Sequence, residues 1–455
     1  MRGWSTECRT CSRGPKHDAN SMSEKTINLA FGSDMVGVRL PKRVRARVLA
    51  PGHGKALMDP SGEIVSLLRD WEASKNSAGP SLESLCRGVK RALIVVSDRT
   101  RVTGVKVYLP VLTDFLRKCG INEAGIEILI ANGMHAPAGQ GALEEFLPCE
   151  VLGRLRISEH DCNRKDAHCY GGRTTRGTEV YLSRRAFEAE LVVITGSIGL
   201  HYFAGYRGGR KSILPGIAGF DAICANHRLT IPGGEGFHPL CRNGSLTGNP
   251  VHEDMVEALP MIPPSFLLNT ITDASGSIVN VFAGDPVEAH LRGCDSFRKE
   301  VEVVADEKVD CVIVSCGGYP RDSTLVQAHK AMENVSPVLK EGGSMVVLAE
   351  CRHGIGSDTL MSWFDGNDLA IVRQKLVSDY VLHGHTALSM MEKLSRFNIY
   401  LVSALGNDVF VSTGLVPARS VEEALNRVLG QTGGELNTFV FPEGSETLPV
   451  LRACR

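Results

Sequence analysis

The densest set of groups able to do chemistry in this 455-residue chain lies between Gly196 and His227. His201, Lys211 and His227 are interspersed there with Gly196, Gly199, Gly205, Gly208 and Gly209. Glycine lets backbone approach a ligand closely and take up positive φ. The pattern therefore points to a cofactor cradle with reactive side chains on its rim. A phosphate-binding P-loop needs glycine directly before its lysine, so that successive N–H groups wrap the phosphates. Here Arg210 precedes Lys211, and the P-loop reading fails at a position that matters. A glycine-rich turn with a surface lysine is the plain alternative, and this segment alone does not exclude it.

Three further stretches carry reactive types. The apolar run Ala92 to Val96 reads as a buried strand that delivers Asp98, Arg99, Thr100 and Arg101 to its carboxyl end, where open α/β sheets bind ligands. An arginine there offers a planar fork to a carboxylate or phosphate; a helix-capping Asp with a solvent-facing Arg fits the residues equally well. Ile126 to Ile130 reads as the next strand and leads to Gly133 and His135. A histidine so placed suits acid–base work, because its charge changes near neutrality, although most single loop histidines are structural. Gln327 and Lys330 share one face of a helical run. An amide beside an ammonium suits a hydroxycarboxylate, and a solvated helix face is the ordinary alternative.

The elements that must position these groups alternate between strand and helix. Helices are expected over Ile64 to Trp71, from Ser81 to near Gly88, and over Val105 to Cys119, Gly141 to Leu147 and Pro286 to Val303. Strands are expected within Ile27 to Val48 and at Leu191 to Ile194, Phe266 to Ile271 and Ile278 to Phe282. A second alternating set follows, with strands at Cys311 to Ser315, Met345 to Ala349, Ile399 to Ser403 and Phe439 to Phe441. Ser420-Val-Glu-Glu423 opens the last helix as a capping box. The fold class is α/β: two domains with mostly parallel sheets flanked by helices, and a site in the cleft between them. Residues 26–303 are assigned to an N-terminal catalytic and cofactor-binding domain, 304–445 to a C-terminal substrate-binding domain, and 446–455 to a tail.

Residues 1–25 read as a disordered tail, or as an upstream extension if translation starts at Met22. Cys8-x-x-Cys11 near His17 hints at zinc, but no second ligand pair of the usual spacing follows. His160, Cys162, His168 and Cys169 resemble a ligand set by chance, and His252 is assigned a capping or packing role. With 50 basic and 51 acidic residues, nothing suggests a nucleic-acid or membrane field. No apolar run approaches the ~18 residues of a membrane span. The 14 cysteines lack a disulfide-scaffold spacing, which reads as reduced thiols in a cytoplasmic protein.

Four motifs in order resemble the nickel-dependent lactate racemase family, over roughly Ile27 to Pro442. The first is Ser97-Asp98-Arg99-Thr100-Arg101, and the second is Gly133-Met134-His135. The third is the glycine-rich stretch through Lys211 to His227, and the last is Gly317-Gly318-Tyr319-Pro320 followed by Gln327 and Lys330. The resemblance implies a racemase or 2-epimerase of 2-hydroxy acids that abstracts hydride from C2. It implies a nickel pincer nucleotide, a pyridinium-3-thioamide-5-thiocarboxylic acid mononucleotide, with Lys211 as covalent tether and His227 as nickel ligand. His135 and His201 would be a nearly symmetric acid–base pair, one for each face of the keto-acid intermediate. Asp98, Arg99, Thr100 and Arg101 would lie by the cofactor, and Arg101, Gln327 and Lys330 would bind substrate. The partners implied are a small 2-hydroxy acid and transient cofactor-maturation proteins, with no nucleic acid and no membrane.

Two departures from the family pattern bear on substrate. Arg207 and Arg210 add charge to the glycine stretch, for a cofactor phosphate or for a more anionic or polyhydroxylated substrate. His383-Gly384-His385-Thr386 stands in the region where lactate enzymes have a tryptophan. Both favour a sugar acid or larger hydroxy acid over lactate. A non-catalytic protein that binds the same cofactor is the alternative, and a nucleotide-dependent transferase ranks third.

Overall fold

The computed structural model describes residues 26–52, 54–69, 75–234, 236–273, 275–366, 368–378 and 383–452. The expectations for residues 1–25, with Cys8, Cys11 and His17, lie outside them. Among the described residues no helix is long and apolar enough to cross a membrane, and the described cysteines are free thiols.

Two sheets organise the chain. The first has seven strands in the order Ser77–Ala78, Ile278–Gly284, Ser265–Thr272, Leu191–Ser197, Ala92–Ser97, Ile126–Ala131 and Arg156–Glu159. All neighbours pair parallel except Ser265–Thr272 with Ile278–Gly284, which run antiparallel. Helices cover both faces, so the central strands are apolar throughout rather than alternating; Leu93 to Val96 and Leu191 to Ile194 are all buried. The runs turn polar at their carboxyl ends, at Asp98, Asn132 and Ser197. That switch is where the backbone leaves the sheet and side chains become available to a ligand.

The second sheet has six parallel strands in the order Val416–Ala418, Asn398–Val402, Leu339–Leu348, Val309–Ser315, Leu436–Phe441 and Val44–Val48. Its last strand corrects the expected boundaries. Residues 26–48 do not join the first sheet. The hairpin Thr26–Phe31 with Asp34–Arg39 and the strand Val44–Val48 pack Leu29, Val38, Leu40 and Val44 against Cys311, Ile313, Val346 and Leu425. Gly32 N–H donates to the buried Asp322 carboxylate at 2.6 Å, and Tyr319 N–H donates to Gly32 O at 2.7 Å. The amino-terminal segment thus braces the Gly317–Pro320 turn. Residues 446–455 are not all tail either: Leu448–Leu451 pairs parallel with Glu302–Ala305. The amino-terminal segment buries its apolar side chains in the core of the second unit, whereas Leu448 packs with Ile198, Phe282 and Phe297 of the first, a long-range preference that local periodicity does not carry.

Candidate active site between the two sheets

The carboxyl end of Ala92–Ser97 presents Asp98 as the hub of one wall. Thr100 donates its backbone N–H to Asp98 Oδ1 at 2.8 Å, and its hydroxyl donates to the same oxygen. Arg101 Nε lies 3.7 Å from Oδ2, and His135 Nδ1 lies 3.5 Å from it. Burial alone would raise the Asp98 pKa. The His135 hydrogen bond, the Arg101 charge and the Thr100 hydroxyl outweigh burial and hold the carboxyl well below the usual carboxylate range. Arg99 is exposed, and no ion pair holds it among the described residues.

His135 rides on a braced loop. Gly133 has φ +56° and donates its N–H to Gly216 O at 2.9 Å, tying this loop to the glycine-rich stretch. Glu159 accepts from the N–H groups of Ala138 and Gly139 at 2.7 and 2.9 Å. An Nδ1–H facing the Asp98 carboxylate leaves the lone pair of a neutral His135 on Nε2.

The glycine-rich stretch departs from P-loop geometry in its backbone as well as its sequence. After Leu191–Ser197 the chain makes a hairpin, Gly199–His201 with Gly205–Arg207, and then a single 3₁₀ turn over Gly209–Ser212. Lys211 sits in that turn with Nζ 5.6 Å above the Phe203 ring. Burial, then the charges of Arg210 and Arg101, hold Lys211 well below the usual lysine range. A neutral amine is the nucleophilic form.

Phe203 is the platform of the site. Its ring centroid lies 4.4 Å from that of His201, 4.9 Å from His227 and 5.0 Å from His385. His227 closes the helix Phe220–Arg228, and its tautomer follows from its neighbour. Asn226 Nδ2 donates to Val251 O and to the buried Asp254 carboxylate, so Asn226 Oδ1 must accept the 3.1 Å contact from His227 Nδ1. The Nε2 lone pair is then the one suited to a metal, with Asn226 and Asp254 as outer support. His201 is the opposite tautomer. Its Nδ1 accepts from Ala204 N–H at 3.3 Å, so a neutral ring carries its proton on Nε2. Burial, followed by the charges of Lys211, Arg101, His227 and Lys330, keeps His201 well below the usual histidine range.

The second unit supplies the facing wall. Thr324 caps the helix Leu325–Val335 by accepting from Gln327 N–H at 3.3 Å. Lys330 Nζ donates to Gln327 Oε1 at 2.6 Å, so the two predicted substrate residues form one unit. Burial, then the charges of Arg101 and Arg207, push the Lys330 ammonium down to about 7. Tyr202 joins the walls: its hydroxyl pairs with Thr386 Oγ1 at 3.0 Å, and its ring stacks on His385 at 5.6 Å. Tyr202 and Phe203 escape a sequence reading, and His385 is marked there only as a polar replacement in the pocket region and not as their partner. A Tyr-Phe pair after a histidine looks like core, and only a register in which His385 faced the hairpin could have flagged them.

Arg210 does not offer its charge to a ligand, which corrects the expectation from sequence. It is 1 % exposed. Its Nη1 contacts His290 Nε2 at 2.5 Å, and its Nη2 donates to Ala204 O at 2.7 Å. Burial pushes it down to about 10. Its role is to brace the loop from behind, and a Cβ on Gly209 would lie 2.7 Å from the His290 ring in the same layer. His252 packs nearby, while the cap of its helix is Asn249, whose Oδ1 accepts from Val251 and His252 N–H at 3.1 and 3.3 Å. Of the His160, Cys162, His168 and Cys169 set, His160 is engaged structurally, its Nε2 bonding Ala218 O at 2.9 Å.

The chain is similar to known proteins over most of its length. Residues 31–236 match the lactate racemase N-terminal domain, and residues 304–448 match the lactate racemase C-terminal domain. The chain is 31 % identical over 425 residues to a lactate racemase of Thermoanaerobacterium thermosaccharolyticum, covering 92 % of this chain and 97 % of that one. It is 30 % identical over 428 residues to a lactate racemase of Lactiplantibacillus plantarum, covering 90 % and 99 %. The structure of the Thermoanaerobacterium thermosaccharolyticum lactate racemase apoprotein superposes with a TM-score of 0.85 at 29 % identity, covering 94 % of this chain and all of that one. A Thermotoga maritima protein structure shares the fold alone, with a TM-score of 0.61 at 18 % identity over 81 % of this chain and 97 % of that one.

Proposed function

The chain belongs to the lactate racemase family and is a racemase of 2-hydroxy acids, and from that premise we propose that it works by removing and returning the C2 hydride of its substrate. One observation carries the proposal. A lysine whose ammonium form is disfavoured by burial and a histidine with Nδ1 committed to Asn226 both pack against Phe203, beside a second and distinct histidine.

The residues fit a nickel pincer nucleotide. Among the described residues no three His, Cys, Asp or Glu side chains converge as a metal cage, so nickel here would take most of its donors from the organic group and one from the protein. His227 Nε2 is the candidate ligand, and Lys211 the covalent tether. When bound, the group would supply the electron-poor acceptor for hydride that no side chain provides. Its synthesis and insertion call for separate maturation proteins as transient partners.

The chain's own residues then handle position and protons. Lys330, Gln327 and Arg101 hold the C1 carboxylate. His135, oriented by Asp98, takes the hydroxyl proton as the C2 hydride leaves with its electron pair, giving the 2-keto acid. His201 lies against the same space with Nε2–H, where it steadies the carbonyl oxygen. Return of hydride and proton to the opposite face of the keto acid inverts C2. The enclosing wall around His201 and Tyr202 keeps water from the intermediate.

Two measurements test this. Nickel content and intact mass, after co-expression with cofactor-synthesis proteins, should show about one metal per chain and an added mass, both absent in Lys211→Ala. Deuterium placed at substrate C2 should reappear at C2 of the product; its complete exchange into water would overturn hydride transfer in favour of a carbanion route.

A further inference from the structure

Arg207 and Arg210 stand three residues apart and have opposite fates. Arg210 turns inward, where its two terminal nitrogens find partners in Ala204, Gly208 and His290 and its Nε is left without one. Arg207 lies across the hairpin instead. A Cβ on Gly199 would be 2.2 Å from its Nε and 2.6 Å from its Cζ, so glycine at 199 is what allows the guanidinium to lie flat there. Its Nε is shielded from solvent and has no hydrogen-bond partner. No ion pair or hydrogen bond from the described residues meets its guanidinium.

The surroundings make this unusual. Arg207 shares its space with the charges of Glu446, Arg101 and Arg321. Glu446 is already engaged by Arg321 at 2.8 Å, and Asp98 is already engaged by Arg101, Thr100 and His135. Arg101, Arg207, Arg321 and Lys330 thus bring four cations to this region, and the ion pairs on Asp98 and Glu446 do not include Arg207. A substrate C1 carboxylate on Lys330, Gln327 and Arg101 neutralises one more charge and leaves Arg207 unmatched. A shielded cation without a counter-ion is costly, so the loaded site should contain a further anion.

We propose that Arg207 binds a second carboxylate at the far end of the substrate, so that this enzyme acts on short 2-hydroxydicarboxylates in preference to 2-hydroxymonocarboxylates. The proposal rests on the 2-hydroxy-acid reading above and narrows it to a substrate class. A planar guanidinium suits a carboxylate through two parallel N–H donors. The same chemistry would also receive the cofactor's phosphate, and the test separates the two sources.

The experiment uses nickel-loaded enzyme, wild type, Arg207→Ser and Arg207→Lys, with 2-hydroxysuccinate and 2-hydroxypropionate as substrates. Optical inversion gives kcat/KM for each, and nickel content and intact mass are read on the same samples. We expect wild type to prefer 2-hydroxysuccinate. We expect Arg207→Ser to cut that preference by about tenfold to a hundredfold, mostly through KM, as loss of a charged hydrogen-bond partner does, and Arg207→Lys to retain part of it. Nickel and adduct should be kept in both variants. An unchanged preference in Arg207→Ser would overturn the proposal, and so would loss of nickel and adduct, which would assign Arg207 to the cofactor phosphate. Failure of fully loaded wild type to invert either acid, with deuterium at C2 untouched, would instead defeat the underlying 2-hydroxy-acid reading.

Discussion

His135 and His201 are the same side chain in two different settings. His135 is 47 % exposed at the side chain and turns Nδ1 toward an ionised Asp98. His201 is enclosed on the hairpin, accepts from a backbone amide at Nδ1, and is surrounded by Lys211, Arg101, His227 and Lys330. One ring has a carboxylate behind it, and the other is surrounded by cations that oppose its protonation. The near-symmetry expected of an acid–base pair is thus absent from the resting protein. On the proposed mechanism His135 is the base and His201 the hydrogen-bond donor, and reversing the reaction requires moving a proton between these roles. A racemase can tolerate this, because chemical symmetry is required of the full cycle and not of the resting protein.

The largest expected effect tests the roles directly. His135→Ala and His201→Ala should each lower kcat by about 10²- to 10⁴-fold, the usual worth of a positioned acid or base. The contrast sharpens with added imidazole, which should restore part of the activity of His135→Ala, where the side chain opens to solvent, and none to His201→Ala. Equal rescue of both would break the comparison.

Removing the carboxylate behind His135 should matter less. Asp98→Asn keeps the shape and removes the charge, and kcat should fall about tenfold to a hundredfold with KM changed little, on the scale of an oriented partner rather than a reacting one. An unchanged kcat would mean that Asp98 serves only the Thr100–Arg101 turn.

Acid should act through the enclosed histidines. Burial is the main cause that pushes His160 down to about 4 and His252, His329 and His385 down to about 3. Between the ordinary value of 6.5 and those depressed values, the unfolded chain binds more protons than the folded one. Stability therefore falls as pH drops from about 6.5 toward 4, with a slope approaching about 1.4 kcal/mol per pH unit for each such histidine. Urea unfolding at several pH values measures the slope, and His160→Gln should make it shallower. A slope unmoved by that substitution would show that His160 is protonated in the folded protein.

The smallest effect is expected at the joint between the walls. Tyr202→Phe removes the hydroxyl contact with Thr386 and should cost about 1 kcal/mol of stability. A much larger loss would show that the walls depend on this single bond for their alignment.

Much of the molecule is legible from residue order alone. The runs at Ala92, Leu191 and Val312 are apolar without alternation because parallel strands covered on both faces leave no position for a polar side chain, and the run from Ile126 departs from this only at Glu127. The groups that follow each run lie at its carboxyl end, and so Asp98 and His135 can be placed before any coordinates exist. Ser420 accepts from Glu423 N–H at 3.2 Å as a cap should, although Glu423 reaches back to Arg419 N–H and not to Ser420. The hairpin His168–Arg173 with Glu179–Ser183 was harder to see, since Gly171 and Gly172 interrupt its alternation and shift its register.

Local sequence determined which segments are strands, where they end, and which reactive types stand at those ends, because these depend on side-chain periodicity and backbone preference over a few residues. Only the tertiary structure decided that Val44–Val48 completes the distant sheet, that Arg210 is sealed against His290 while Arg207 Nε is shielded without a partner, and that His201 and His227 carry their protons on opposite nitrogens. Each of those outcomes depends on a partner tens to hundreds of residues away or on the fold of a turn. An arginine's charge or a histidine's tautomer takes its meaning from the atoms packed against it, and one-dimensional order does not contain them.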